Sequence, residues 1–357
     1  MSINSDGEDD APEPESSDDE IGIFKNEHLE LEDDTADRSP RLPVFSTGPK
    51  YMWIPIVLCI IFAGLLALLL QFGGLDVSYA PVDEEKYGFL GTLINALIFI
   101  GIGAVSAFFM IILIRKKGIN VIEKVMIVAF LIIGIMFIYV FGFYAIGLFI
   151  GLLNVTINVL AGVIIEYTWF AIAIILGLLL AYIYTSNKFG DNARNLAVLI
   201  YGVLIGSYLP LILPTWTAIL ILIGFSLYDI YSVKKGPIKE MMGHMGYEEE
   251  EGEGEDDPVD LSDITLDIGI GDLAFYSTLT SMTLVSNDFG GPHLVTVTGN
   301  PLAYIFPFIL TITGVLIGAY ISFEYVKKSK ILPGLPMSIF IGLGLLTLSI
   351  FLGVLIF

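Results

Sequence analysis

Two aspartates lie inside segments that are otherwise apolar enough to cross a membrane. Asp229 lies in the segment from Trp216 to Ser232, and Asp272 lies near the start of a segment that ends at Val285. A carboxylate at the centre of a bilayer costs roughly 3 kcal/mol or more, so such residues are rare there and usually functional. These two aspartates are therefore the first candidates for chemistry.

The two carboxylates are predicted to lie at the same depth in the membrane. Asp229 comes five residues before Lys234, the first cation after its segment, and Asp272 comes five residues after Asp267, the last acidic residue before its own. At about 1.5 Å per residue, both lie roughly 7–8 Å inside one membrane face. Because consecutive spans run antiparallel, the two groups can touch.

Two adjacent carboxylates in a site of low dielectric constant cannot both ionise, so they share a proton. The ionised group can take a proton from water, while the protonated group polarises a carbonyl and later protonates the leaving amine. Peptide hydrolysis without metal, serine or cysteine suits such a pair. Transport coupled to protons suits it as well. On these physical grounds alone, the two functions are about equally favoured.

The composition indicates an all-α polytopic membrane protein. The chain has 357 residues, 55% of them hydrophobic, and its long uncharged runs exclude an ordinary soluble fold. Gly147 and Gly151, four residues apart, show a spacing typical of close helix packing. We predict about nine transmembrane helices, at roughly 52–73, 88–114, 121–150, 163–185, 195–210, 213–233, 265–286, 301–326 and 333–357.

Charge is concentrated outside these spans. Residues 1–50 hold 15 acidic and 4 basic side chains, and residues 236–267 hold 12 and 1. We predict a disordered acidic tail at 1–50, helices one to six within 51–235, an acidic loop at 236–264, and helices seven to nine within 265–357.

Lysine and arginine set the predicted orientation in the cell membrane. Sixteen of the seventeen lie in the tail or in the even-numbered loops, and Lys86 is the exception. Cytoplasmic loops carry such an excess, which places the N-terminus and the aspartate face in the cytoplasm and the C-terminus outside.

No metal or cofactor pattern accompanies the aspartates. Cys59 is the single cysteine, and the three histidines show no ligand spacing. Gly269 to Ala274 fits the loose G-x-G-x-x-A pattern of dinucleotide sites, but an acidic loop precedes it and a membrane span follows, so we reject that interpretation. We expect these glycines to let a neighbouring backbone, from the protein or a substrate, approach Asp272.

A third element opens the last span, with the sequence Pro333-Gly334-Leu335-Pro336. It follows Lys330 by three residues, so it is predicted at the same face and depth as the aspartates. Two prolines around a glycine withhold backbone donors and resist helix formation. Irregular backbone at this depth is tolerated only inside protein or beside a wet cavity. We therefore predict a non-helical segment beside the aspartates.

These residues resemble the motifs of the presenilin and signal peptide peptidase family of intramembrane aspartyl proteases. That family has YD in its sixth span, GxGD in its seventh and PAL at its ninth. The corresponding residues here are Tyr228-Asp229, Gly269-Ile270-Gly271-Asp272 and Pro333-Gly334-Leu335. The flanking residues look like presenilin, and the short acidic loop suggests a microbial, archaeal homologue. Gly334 departs from the family, which has alanine there.

The resemblance implies a presenilin-like fold and an endopeptidase that cleaves transmembrane helices of single-span proteins or remnant signal peptides. The implied catalytic pair is Asp229 and Asp272 with a bound water. The residues implied to shape the site are Tyr228, Gly269, Gly271, Pro333, Gly334 and Leu335. No metal, cofactor or nucleic acid is implied, and partner subunits stay open. The alternative is a non-proteolytic channel or proton-coupled transporter that uses the same carboxylates.

Overall fold

The computed structural model describes residues 44–75, 79–117, 120–235, 266–326 and 334–357. The predicted tail before residue 44, nearly all of the predicted acidic loop, and Pro333 lie outside the described residues. Within them the body consists of nine helices of at least 16 residues. These are α1 Trp53–Phe72, α2 Phe89–Lys117, α3 Asn120–Leu152, α4 Val159–Thr185, α5 Gly190–Ile212, α6 Thr215–Lys235, α7 Ile270–Val285, α8 Phe306–Val326 and α9 Leu335–Ile356.

Eight helices in the described ranges are long and apolar enough to cross a membrane. This confirms an all-α polytopic membrane protein. The one helix of the nine that is not in this group is α7. Its 16 residues extend only about 24 Å, whereas the hydrocarbon core of a bilayer is about 30 Å thick. It is shorter than the predicted span at 265–286 because the residues before Ile270 form a strand.

The helix boundaries have local causes. The turn between α3 and α4 ends at Asn158, whose side chain accepts a hydrogen bond from the backbone N–H of Ala161 at 2.8 Å. This is an N-cap, and it satisfies one of the free donors at the start of α4. Helix α5 begins earlier and ends later than the predicted 195–210, with Pro210 in its last turn.

Helix α7 lies at the centre of the bundle. From Leu273 to Val285 every residue except Phe275 is buried. Helix α5 contacts it through two glycines one turn apart, Gly202 and Gly206. A methyl group added to Gly206 would lie 2.3 Å from Cβ of Ser277, so the two backbones approach as closely as small residues allow.

A second contact between small residues joins α8 to α9. Cβ atoms added at Gly314 and Gly318 would lie 2.8 Å and 2.4 Å from Cα atoms of α9. The predicted close contact at Gly147 and Gly151 was wrong, because a Cβ atom added at either glycine would have no neighbouring helix within 4 Å. The same spacing therefore marks a packing surface on α5 and α8 but not on α3.

Two short strands form an antiparallel pair that the sequence analysis did not predict. Strand β1, Val44–Thr47, precedes α1, and strand β2, Leu266–Gly269, runs directly into α7. Val44 pairs with Gly269, and Thr47 pairs with Leu266. The sheet therefore lies at the end of the bundle where α7 begins.

Candidate active site

Asp272 is placed by the start of α7. Gly269 is the N-cap of this helix, with extended backbone angles of −64° and 143°, and Asp272 is its third helical residue. The Asp272 carboxylate lies beside the backbone of Gly269, where a Cβ atom added to Gly269 would be 3.6 Å from its Oδ2. This is the position of the acidic residue in a capping box, whose side chain reaches back toward the N-cap amide. The GxGD sequence thus acts locally as a helix start that orients the carboxylate.

Asp229 is placed by the last two turns of α6, and it faces the start of α9. The backbone N–H of Leu335 donates a hydrogen bond to Oδ2 of Asp229 over 3.4 Å. The first N–H groups of a helix have no partner within that helix. The start of α9 therefore offers the amide of Leu335 to the carboxylate of Asp229.

Asp272 approaches the same backbone at Gly334. A Cβ atom added to Gly334 would lie 3.4 Å from Oδ2 of Asp272, an ordinary van der Waals distance. The two carboxylates, carried by α6 and α7, therefore converge on the single peptide unit that joins Gly334 to Leu335. For Gly334 and Leu335 the predicted placement beside the aspartates is confirmed, and Pro333 lies outside the described residues.

The carbonyl of that peptide unit is held by two hydroxyl groups. Tyr276 donates a hydrogen bond to the carbonyl oxygen of Gly334 at 3.2 Å, and Ser322 of α8 donates to the same oxygen at 3.3 Å. Sequence analysis missed both. Tyr276 lies four residues after Asp272, which places it on the same helix face and could have identified it. No comparable signal marked Ser322.

The predicted non-helical segment was wrong at Leu335 and Pro336. Gly334 already has helical backbone angles, −77° and −33°, and α9 begins at Leu335. Proline is tolerated in the first helical turn, where its missing N–H would have no partner in the helix. The free backbone donors of this segment are therefore those at the start of a helix, and they do not come from irregular backbone.

The other residues predicted to shape the site differ in how close they lie to the two carboxylates. A Cβ atom at Gly269 would lie 3.6 Å from Oδ2 of Asp272, whereas nothing lies within 4 Å of Gly271. The ring of Tyr228 lies 6.4 Å from that of Tyr231 on its own helix. Gly269 and Gly334 therefore border the Asp272 carboxylate, Leu335 borders that of Asp229, and Tyr228 contacts a helix neighbour.

The two helices that carry the aspartates also meet one turn deeper. The ring of Phe225, one turn before Asp229, stacks on that of Phe275 with centroids 5.3 Å apart. An aromatic pair in this geometry contributes about 0.5–1.5 kcal/mol beyond the area that it buries. This stack supports the separation between α6 and α7 at the level just inside the carboxylates.

A cavity of about 910 Å³ lies at the opposite end of α7, and its lining includes neither aspartate. It is bordered by carboxylates of the loop after α1 and by residues that follow α7. Across the described part of the chain, no three His, Cys, Asp or Glu side chains form a group able to hold a metal ion.

The fold and the site define a polytopic helical membrane protein with two aspartates that converge at the start of its last helix. A solved structure described as a presenilin family intramembrane aspartate protease is similar to it. The two have 16% sequence identity and a TM-score of 0.51, over 85% of this chain and 99% of that one. This confirms the expected presenilin-like fold. No protein-family model matches the sequence, and no curated protein matches it.

Proposed function

We propose that this chain is an intramembrane aspartyl endopeptidase whose catalytic pair is Asp229 and Asp272. The observation that carries this proposal is the convergence of both carboxylates on the backbone of Gly334 and Leu335. Oδ2 of Asp229 lies 3.4 Å from the Leu335 nitrogen, and Oδ2 of Asp272 lies 3.4 Å from where a Cβ atom on Gly334 would be. Two carboxylates that approach one backbone segment from different helices can hold a water molecule between them. The fold similarity to an intramembrane aspartate protease supports the same assignment.

The proposed reaction needs one ionised and one protonated aspartate. The ionised group takes a proton from water as the water oxygen attacks the carbonyl carbon, and the protonated group transfers its proton to the carbonyl oxygen. The gem-diol that results breaks its C–N bond when a carboxyl group protonates the nitrogen. A proton returns from a diol hydroxyl to the other carboxylate, so the pair ends with one shared proton, as it began.

The proposed substrates are transmembrane helices of single-span proteins or remnant signal peptides. A helix in lipid has its carbonyls bonded internally, so a segment must unwind before water can attack one of them. Within the described residues, β2 has a strand partner on one edge only, and it ends at Gly269, three residues before Asp272. An extended segment could add to the other edge, as in β-strand addition.

The proposed orientation puts the N-terminus and the acidic 236–264 loop in the cytoplasm and the C-terminus outside the cell membrane. The distribution of lysine and arginine supports it. The start of α7, the start of α9 and the strand β1 before α1 then lie toward the cytoplasmic face. Cleavage would therefore occur near that face of the bilayer.

The deciding experiment compares the purified full chain with Asp229→Asn and Asp272→Asn on a defined single-span substrate. Asparagine preserves the shape but cannot act as acid or base, so each variant should lose at least about 100-fold in rate. Asp288→Asn is the control, because it changes an exposed carboxylate at the far end of α7. If Asp272→Asn cleaves at nearly the normal rate, the proposal fails, and proton flux in liposomes would then test the transporter alternative.

A further inference from the structure

Asn195, in the second turn of α5, holds both backbone polar groups of Ser46. The Ser46 N–H donates to Oδ1 of Asn195 at 3.1 Å, and Nδ2 of Asn195 donates to the Ser46 carbonyl oxygen at 2.7 Å. Asn195 is 8% exposed. A side-chain amide presents a donor and an acceptor in one plane, as a peptide group in a neighbouring strand does. Asn195 therefore takes the place of a third strand beside β1.

This contact fixes which backbone groups of the sheet face each other. In an antiparallel pair, opposite residues alternate between hydrogen-bonded and non-hydrogen-bonded pairs. Ser46 directs its N–H and C=O to Asn195, so its pair with Asp267 is of the non-hydrogen-bonded kind. The short bond from Ser46 Oγ to Asp267 Oδ1, 2.6 Å, agrees with the closer side chains of such a pair. Phe45 then bonds Ile268 across the sheet.

The same alternation also determines the direction of the Gly269 N–H, three residues before Asp272. Gly269 is opposite Val44, two residues along from the Ser46 pair, so its N–H also points away from β1. That orientation leaves the N–H of Gly269, the N-cap of α7, free to face the Asp272 carboxylate, whose Oδ2 would lie 3.6 Å from a Cβ atom on Gly269. Because Gly269 is both the last residue of β2 and the N-cap of α7, a shift of β2 changes the orientation of this carboxylate.

We propose that Asn195 is a positioning residue for Asp272, acting through β1 and β2. Its amide fixes β1 to α5, β1 fixes β2, and β2 presents the Gly269 amide that orients the Asp272 carboxylate. The inference rests on the proposed function, since it concerns the same carboxylate. It makes the segment just before α1 a part of the active-site support.

The chain contains a similar contact near the other end of α7, away from the aspartates. Asn95, fully buried in α2, exchanges the same two hydrogen bonds with the backbone of Val82, each at 2.8 Å. It also donates to Oε1 of Glu84 at 3.1 Å, and Glu84 accepts from Thr217 in the first turn of α6. Val82 lies in the loop between α1 and α2, next to residues that line the distant cavity. Loss of either asparagine should destabilise the protein by a similar mechanism. Of the two, Asn195 is the one that holds the strand paired with β2, whereas the contacts of Asn95 reach α6 three turns away from Asp229.

The test uses the purified full chain, Asn195→Ala and Asn95→Ala, with one defined single-span substrate. We expect Asn195→Ala to lower kcat at least about tenfold with little change in KM, because a misplacement of about 1 Å can cost about 100-fold. It should also spread the cleavage sites seen by mass spectrometry and speed hydrogen exchange in a peptide covering 266–272. Asn95→Ala should lower the melting temperature but leave kcat, cleavage sites and that exchange unchanged.

A second variant keeps the test decisive if Asn195→Ala does not fold. Asn195→Asp retains the acceptor for the Ser46 N–H and loses the donor to the Ser46 carbonyl, so it should give an intermediate loss of kcat. Normal kcat and cleavage sites in either Asn195 variant would overturn the proposal. Equal losses of kcat in the Asn195 and Asn95 variants would also overturn it, because they would show a general effect on stability.

The exchange measurement separates this inference from the proposed function. If the unmodified protein cleaves nothing, the proposed function fails, while exchange in 266–272 still reports on β2. Faster exchange in Asn195→Ala but not in Asn95→Ala would then still support the connection from Asn195 to the Asp272 segment. Unchanged exchange in both variants would overturn it, whatever the activity.

Discussion

Tyr276 donates a hydrogen bond from its hydroxyl to the carbonyl oxygen of Gly334, 3.2 Å away. It lies one turn after Asp272, so one face of α7 supplies both a candidate catalytic carboxylate and the group that holds the start of α9. The N–H of the same peptide unit, at Leu335, donates to Asp229. The position of this peptide therefore depends on α7 at its carbonyl and on α6 at its amide.

We predict that Tyr276→Phe lowers kcat by about 2- to 10-fold, which corresponds to the loss of one hydrogen bond of about 0.5–1.5 kcal/mol. The aromatic packing stays, so the fold should persist. The control is Tyr201→Phe, which removes a similar bond from a buried tyrosine hydroxyl to the carbonyl of Phe130, 2.9 Å long. A matching loss of kcat in the control would show that the effect is not specific to Gly334.

The two donors to the Gly334 carbonyl should also depend on each other. With Ser322→Ala alone, Tyr276 still donates a hydrogen bond to the Gly334 oxygen, so the loss of kcat should be small. The double variant leaves the partly buried Gly334 carbonyl without either hydroxyl donor. Its loss of kcat, expressed as a free energy, should exceed the sum of the two single losses. Strict additivity in this double-mutant cycle would contradict a shared acceptor.

We predict a bell-shaped dependence of kcat/KM on pH. At low pH both aspartates are protonated and no base is available, and at high pH both are ionised and no acid is available. The two limbs belong to the pair as a unit, because the carboxylates are coupled. The measurement requires a substrate without titratable groups near the scissile bond. A flat profile across both limbs would contradict shared-proton catalysis.

Glycine-to-alanine changes should separate the site from the packing. Gly334→Ala should retain most of the activity, because the new methyl group would lie 3.4 Å from Oδ2 of Asp272 and the backbone angles suit alanine. Gly206→Ala should destabilise the protein by about 1–3 kcal/mol, since its methyl group would lie 2.3 Å from Cβ of Ser277. Thermal unfolding and cleavage assays on both variants check this. Inactive Gly334→Ala would show that the site needs a bare backbone there.

Single-cysteine labelling tests the proposed orientation. Cys59 is fully buried and should stay silent, so a cysteine can be introduced at Glu253 or at Lys86. In intact cells a membrane-impermeant reagent should label Lys86→Cys, in the loop between α1 and α2, but not Glu253→Cys. Permeabilised cells should label both. The reverse pattern in intact cells would invert the topology.

The convergence of the aspartates was predictable, because the positions of flanking charged residues indicate how deep each aspartate lies in the membrane. Lys234 and Asp267 mark where each helix meets water, and a constant rise per residue then places Asp229 and Asp272 at one level. Strands β1 and β2 were not predictable, because each has four residues and they pair across most of the chain, with Ser46 bonded to a residue 221 positions away. Local pattern carries no information on such a partner.

The choice of packing glycines was not predictable either. The chain has 37 glycines, and a four-residue spacing occurs on α3, α5 and α8 alike. Only the three-dimensional arrangement shows that a Cβ atom at Gly206 would meet Ser277, while a Cβ atom at Gly151 would have nothing from another helix within 4 Å. The helical start of α9 was missed for a different reason. Two prolines suggest irregular backbone, but Pro336 lies in the one turn that accepts proline.

The burial of α7 on all sides has a consequence for biogenesis. This helix is short, and it carries hydroxyl groups that meet protein rather than lipid: Ser277, Thr278, Thr280, Ser281 and Thr283. A segment that is both short and polar gains little from entering lipid alone, because insertion depends on apolar length. Its insertion should therefore wait for α1 and α5, synthesised earlier, to form a proteinaceous groove. The order of synthesis would then prevent the two carboxylates from meeting before α1 and α5 are in place.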